Sequence, residues 1–218
     1  MFVDASLKHA APPMARRTKQ EAQATRAAIL DAAERLFHER GVERTALQHV
    51  AQAAGVTRGA VYWHFADKAD LFNAMMERVY LPLERTSALH HPVPGEPPLD
   101  ALRRDLLDLF ARTVADTQLR RVFEIALQRV EHGDAMAAVR ERLQHAGARH
   151  LAQVEAALLR AGVPRREVRA LAQGLHALVD GLLRQWIPAP DAFDLCRVGQ
   201  AAVDTYLDGV RAGIGRGA

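Results

Sequence analysis

The twenty-one residues from Thr45 to Phe65, TALQHVAQAAGVTRGAVYWHF, restrict the fold more than any other stretch of the chain. Thr45-Ala46-Leu47-Gln48 has the capping-box pattern that opens a helix. Leu47, Val50, Ala51 and Ala54 then recur at helical spacing and give that helix one apolar face. Gly55 supplies the positive φ at which the helix ends. Thr57 caps a second, short helix over Arg58–His64. A helix of about eight residues, a glycine turn and a short second helix have the spacing of a helix-turn-helix unit. Val56 and Val61 fill the angle between the two helices, and the small side chains of Ala51 and Ala54 let them approach closely.

The rest of the chain agrees with an all-helical protein. Ala, Leu, Arg, Glu and Gln dominate, and no run alternates as a half-buried strand does. Thr18-Lys19-Gln20-Glu21 opens a first helix carrying Ile29, Ala33, Leu36 and Phe37, stopped at Gly41. Asp67 caps a fourth helix with Leu71, Met75, Val79 and Leu83. Four prolines and a glycine in ALHHPVPGEPP, residues 88–98, break the chain between two lobes. Beyond it the apolar period predicts helices over 99–115, 119–132, 136–161, 165–187 and 192–212. Pro164 suits a first turn, and the tail GIGRGA is expected to fray. Residues 1–13 read as a poorly ordered extension, 14–70 as the helix-turn-helix domain, and 71–218 as a helical core.

The packing of the two short helices leaves one face of Arg58–His64 free. Arg58, Gly59, Tyr62 and Trp63 lie on it. Arginine at a helix N-terminus can reach guanine O6 and N7 with two hydrogen bonds. Gly59 lets backbone come close to a groove floor, Tyr62 offers a hydroxyl to phosphate, and Trp63 offers an apolar edge to a thymine methyl. His64 and Lys68 would add phosphate contacts, Lys68 together with the free N–H groups of a helix N-terminus. The start of the Thr45 helix has the same anion-binding geometry. The competing reading makes Tyr62 and Trp63 ordinary core, but they cannot share a face with both Val61 and Phe65. Met14–Arg26 adds Arg16, Arg17, Lys19 and Arg26 against one acid, Glu21.

The segment Thr25–Phe72 resembles the N-terminal domain of the TetR family of transcriptional repressors. The shared positions are Phe37 and Gly41, Thr45, Val50-Ala51, Ala54-Gly55-Val56-Thr57, Gly59, Val61-Tyr62, His64-Phe65 and Lys68. The resemblance implies a homodimer whose two heads meet double-stranded operator DNA. It places Thr45, Thr57, Arg58, Gly59, Ala60, Tyr62, Trp63, His64 and Lys68 at DNA-contacting positions, with Gln48 a weaker candidate and His49 given no role. MARRTKQEAQATR and VTRGAVYWHF are similar to the branch that represses multidrug efflux operons, and RRVFEI and VDGLLRQW look like pieces of its C-terminal helices. This implies a small hydrophobic or aromatic inducer in a cavity lined by Leu106, Leu109, Phe110, Phe123, Ala126, Leu127, His176, Val179, Asp180 and Leu183. The same residues could be plain core. His176 and Asp180, i and i+4 on an apolar helix, either pair with each other or anchor a ligand. A metabolic or signalling gene with another ligand is the alternative target. Dimerisation is expected through 165–187 and 192–212, where Leu195, Val198, Ala202, Tyr206 and Val210 form the last stripe.

Other classes fit poorly. The sequence has no phosphate loop, nucleophile triad or metal-ligand spacing, so no enzyme activity, metal or cofactor is expected. His90-His91 and Glu131-His132 are adjacent pairs without partners at ligand spacing. One cysteine, Cys196, and no apolar run of 18 residues suit a cytoplasmic protein that spans no membrane. A net charge of +3 argues against indiscriminate DNA compaction.

Overall fold

The computed structural model describes residues 19–86, 93–128 and 137–217. The expectations for residues 1–13, Arg16, Arg17, Thr18, His90-His91 and the end of the 119–132 helix lie outside the described residues. Within them the chain forms nine helices and no strand: α1 (Lys19–Arg40), α2 (Leu47–Ala53), α3 (Arg58–His64), α4 (Lys68–Thr86), α5 (Pro98–Ala115), α6 (Thr117–Gln128), α7 (Ala137–Arg160), α8 (Arg165–Trp186) and α9 (Leu195–Gly217).

The head is built by local stops and caps. Gly41 and Gly55 hold φ of 83° and 67°, conformations that only glycine adopts without strain. A Cβ on Gly55 would meet nothing within 4 Å, so its backbone angle alone demands glycine. At the start of α4 the Asp70 N–H donates to Asp67 Oδ1 at 2.8 Å, and the Ala66 N–H donates to Asp70 Oδ2 at 2.9 Å. That reciprocal pair fixes the entry of α4. Ile29, Phe37, Val42, Val50, Val61, Phe65 and Phe72 are sealed from solvent in one cluster that α1–α4 share, with the Phe37 and Phe72 rings 6.3 Å apart.

In the C-terminal lobe α5 lies along α9, α7 along α8, and α8 against α9, while α6 packs on α1, α4, α5 and α8. Two departures from the sequence reading appear. Residues 192–194 are not helical; the Arg197 N–H donates to Asp194 Oδ1 at 3.0 Å, which starts α9 at Leu195. The tail does not fray at its first glycine but stays helical to Gly217, and Ile214 packs on the core.

Two helix contacts in this lobe require glycine. A Cβ on Gly199 would lie 2.5 Å from Phe110 Cε2, so the Phe110 ring sits directly on the α9 backbone. A Cβ on Gly174 would lie 2.6 Å from the Tyr206 hydroxyl, which crosses α8 to donate to the Leu171 carbonyl at 2.7 Å. Gly199→Ala should therefore destabilise the protein by about 1–3 kcal/mol through overpacking. Gly147→Ala on α7, where a Cβ meets nothing within 4 Å, should be neutral or raise stability by up to about 1 kcal/mol from helix propensity. Urea unfolding of the two variants checks the contrast.

Candidate functional site

The turn between α2 and α3 presents α3 to solvent. Thr57 Oγ1 accepts the Ala60 N–H at 3.1 Å and fixes the first turn. Val61 and Phe65 anchor the helix to the head core at 0% and 2% exposure, whereas Tyr62 and Trp63 are 46% and 73% exposed. Large aromatics in contact with water are uncommon on a small head, and these two share a face with Arg58. The Arg58 guanidinium lies over the Tyr62 ring, 5.3 Å from its centroid, and donates to the hydroxyl at 3.4 Å. That contact draws arginine along the outer face of α3. His64 stands edge-on to Trp63 with ring centroids 4.5 Å apart. Gly59 has ordinary helical backbone, and a Cβ there would meet only Thr57 Oγ1, at 3.9 Å. Nothing inside the chain requires glycine at 59, which is the pattern expected where an outside backbone approaches. Ala60, half-buried beside it, is equally small.

Two of the side chains expected at DNA are engaged within the chain. Thr45 is fully buried, and its hydroxyl donates to the carbonyls of Gly41 at 2.8 Å and Leu36 at 3.3 Å. It closes the C-terminus of α1, where carbonyls lack helical partners. The N-cap of α2 is Ala46, whose N–H donates to His49 Nδ1 at 3.3 Å. His49, given no role from sequence, therefore does capping work that Gln48 was expected to do. Lys68 turns its ammonium back on the chain. Its Nζ donates to the carbonyls of Val42 at 2.9 Å and Glu43 at 2.7 Å, tying α4 to the turn after α1. Arg26, read only as part of a basic run, sits exposed with its guanidinium 5.2 Å from the centroid of the Phe65 ring, beside the end of α3.

The proposed ligand residues gather on α5, α6 and α8. Leu106, Phe110, Phe123, Val179 and Leu183 are buried, and Leu109, Ala126 and Leu127 pack half-buried against them in the same cluster. The His176–Asp180 pair does not form. Asp180 accepts from Arg184 Nε at 2.6 Å, and Arg184 also donates to the Leu127 carbonyl at 2.8 Å, holding the end of α6. His176 instead faces His150 of α7, ring centroids 6.0 Å apart. Burial, and then the charge of His176, push His150 below the ordinary imidazole value, while Asp105 opposes them. Outside this core, Leu178, Arg197, Val198, Ala201, Ala202, Thr205 and Tyr206 line an open groove of about 570 Å³ along α8 and α9. The last-helix stripe divides accordingly: Leu195 and Val210 turn inward, while Val198, Ala202 and Tyr206 face the groove.

A glycine-turned helix pair with an exposed arginine and aromatic face, carried below a separate helical lobe with an apolar centre, defines a helix-turn-helix transcriptional regulator. The chain belongs to the TetR family. Residues 29–75 match the bacterial regulatory proteins of the tetR family, and residues 97–211 match the C-terminal region of MAATS-type transcriptional repressors. It is 40% identical over 203 residues to the HTH-type transcriptional regulator TtgR of Pseudomonas putida, covering 91% of this chain and 97% of that one. It is similar in structure to NalD, the secondary repressor of the MexAB-OprM multidrug efflux pump in Pseudomonas aeruginosa: TM-score 0.79, 35% identity, 88% of this chain and 98% of the other. It is also similar to SmeT in complex with triclosan: TM-score 0.74, 36% identity, 86% and 91% covered. The protein is a regulator and not an enzyme. Among the described residues no helix is long and apolar enough to cross a membrane.

Three measurements test this assignment of side chains. Arg58→Ala should weaken binding to a selected DNA site by about 1–3 kcal/mol and relax its base preference. Lys68→Met should lower thermal stability, because its ammonium holds the carbonyls of Val42 and Glu43. His150 with a depressed pKa binds its proton less readily folded than unfolded. Its contribution is therefore complete above the ordinary value of 6.5 and is lost as the pH falls below it. His150→Gln should accordingly lose less melting temperature than the unchanged protein between pH 7 and pH 5, taken as roughly spanning the histidine range.

Proposed function

We propose that the protein is a homodimeric repressor of a multidrug efflux operon, acting on DNA in the cytoplasm. It releases that DNA when a hydrophobic or aromatic drug enters the core between α5, α6 and α8. The exposed Arg58–Tyr62–Trp63 face on a rigidly capped helix is the observation that carries the DNA half of this reading. Arg58 reads base edges, Tyr62, Trp63 and His64 meet backbone and sugar, and Thr57, Gly59 and Ala60 admit the phosphate chain. Similarity to a repressor of an efflux pump and to a relative complexed with triclosan supports the drug half.

The dimer joins through α8 and α9. Their groove presents Leu178, Val198, Ala201, Ala202 and Tyr206 beside Arg197 and Thr205, a mainly apolar surface that a second copy covers with the same residues. Two α3 helices related by that two-fold meet successive major grooves about 34 Å apart, so the operator is a pseudo-palindrome. A drug lowers DNA affinity by favouring an arrangement in which the heads no longer match that spacing, with coupling of about 1–3 kcal/mol.

The test is selection of genomic DNA by the purified protein at physiological salt, with and without triclosan. The expected result is one palindromic site beside an efflux operon, released by triclosan. A palindrome elsewhere that ignores triclosan would overturn the efflux reading, and no enriched sequence would overturn the operator itself.

A further inference from the structure

Glu34 is the only charged residue buried among the described residues, at 3% exposure. It stands where the head meets the C-terminal lobe. Its Oε1 accepts from Arg121 Nη1 of α6 at 3.0 Å. Its Oε2 accepts from Arg78 Nη2 of α4 at 2.6 Å and from Gln118 Nε2 of α6 at 2.9 Å. Arg78 also reaches Asp31, one turn back on α1. One turn further along α1, His38 Nε2 meets Glu124 Oε2 of α6 at 2.8 Å. Positions 34 and 38 of α1 thus mesh with 118, 121 and 124 of α6, one helical face against another.

The second face of α6 is apolar. Phe123, Ala126 and Leu127 point into the packed core. At 3.6 residues per turn these positions centre on the side of α6 opposite Gln118, Arg121 and Glu124. The helix has 12 residues. A rigid rod that short cannot shift on its core side and stay still on its head side.

We propose that the polar seam centred on Glu34 couples occupancy of the core to the position of the DNA-binding head. The proposal rests on the drug-responsive reading above and assigns Glu34 and Arg121 as positioning residues, since neither is on the DNA face nor in the drug core. A buried carboxylate shared by three donors has few alternative arrangements of equal energy, because each lost partner leaves charge in a poorly solvated place. The seam therefore transmits a displacement of α6 to α1 and α4 instead of absorbing it. A seam of leucines would slide.

Glu34→Gln keeps the shape but turns one acceptor oxygen into a donor that faces an arginine or Gln118. Arg121→Gln removes the charged contact of α6 with Glu34, at a side chain 41% exposed, and decides the question where Glu34→Gln does not fold. Operator affinity is read by anisotropy of a labelled site, with and without saturating triclosan, and triclosan affinity is read on DNA-free protein. For the unchanged protein the operator Kd should rise about tenfold or more with triclosan, and for both variants by less than about threefold, with drug-free operator and triclosan affinities nearly unchanged. Arg121→Lys, which keeps the charge, should retain the response; a purely structural role would move melting temperature without changing the ratio. Variants that keep the full response would overturn the seam. If the unchanged protein does not respond to triclosan, the drug-release reading fails, and the seam is decided by hydrogen exchange. Operator DNA should then slow exchange across Thr117–Gln128 in the unchanged protein and not in the variants; equal slowing in all, or none in any, would overturn it.

Discussion

A carboxylate removed from water must find charge and donors, or it will protonate or pull the structure open. Glu34 meets this constraint with Arg78, Arg121 and Gln118, drawn from two helices besides its own. The consequence is architectural. α1 cannot be a helix of the head alone, because its buried acid is satisfied only when α4 and α6 are in place. The two lobes are therefore joined by a contact that specifies orientation, where an apolar contact would specify only proximity. Lys68 does related work at the other end of α4, where its ammonium closes the carbonyls of the turn after α1. Between them Arg78 and Lys68 tie α4 to α1 and to the turn that follows it.

The outer face of α3 depends on a division of labour within seven residues. Val61 holds α3 from beneath, Thr57 fixes its first turn, and everything on the outer side is freed from packing. Arg58 stacks on Tyr62, so the arginine gives up part of its rotamer freedom before DNA arrives. An ordered side chain loses less entropy on binding. The exposure of Trp63 is unfavourable in the free protein by the ordinary hydrophobic term. It becomes favourable only when another surface covers the indole.

Much of this was legible in the sequence because the head is governed by local rules. Positive φ at Gly41 and Gly55, the Thr57 cap, the Asp67 start and the inward Phe65 each follow from residues within one or two turns. What the sequence did not show has a common cause. Thr45 shows a capping pattern, yet its hydroxyl turns back to Leu36 and Gly41; Lys68 shows a phosphate-ready position, yet its ammonium reaches back to Val42 and Glu43. A periodicity shows which face a residue occupies, but a four-carbon stem can cross to a neighbouring element. Glu34 left no local trace at all. On α1 it looks like one more acid on an amphipathic helix, and its partners lie 44 to 87 positions away. The α8–α9 surface was legible only in outline, because one stripe of residues serves two faces and sequence spacing does not divide them.

The apolar centre sets the terms on which any drug is read. Leu106, Phe110, Phe123, Val179 and Leu183 are buried, so an inducer that enters among them, as proposed, displaces contacts between side chains. Opening a core by a leucine-sized space costs about 2–5 kcal/mol. Burying roughly 300 Å² of apolar drug surface returns about 7 kcal/mol at 25 cal/mol per Å². The two terms are close in size, so the proposed core rearranges around an occupant at little net cost. Such a balance favours no particular shape, since displaced leucines re-pack around whatever enters. Selectivity is left to the few polar groups at the margin, above all the His150–His176 pair, whose rings carry hydrogen-bonding nitrogens. The seam at Glu34 is rigid and the core it reports on is yielding. That pairing lets many different occupants move one helix by the same path.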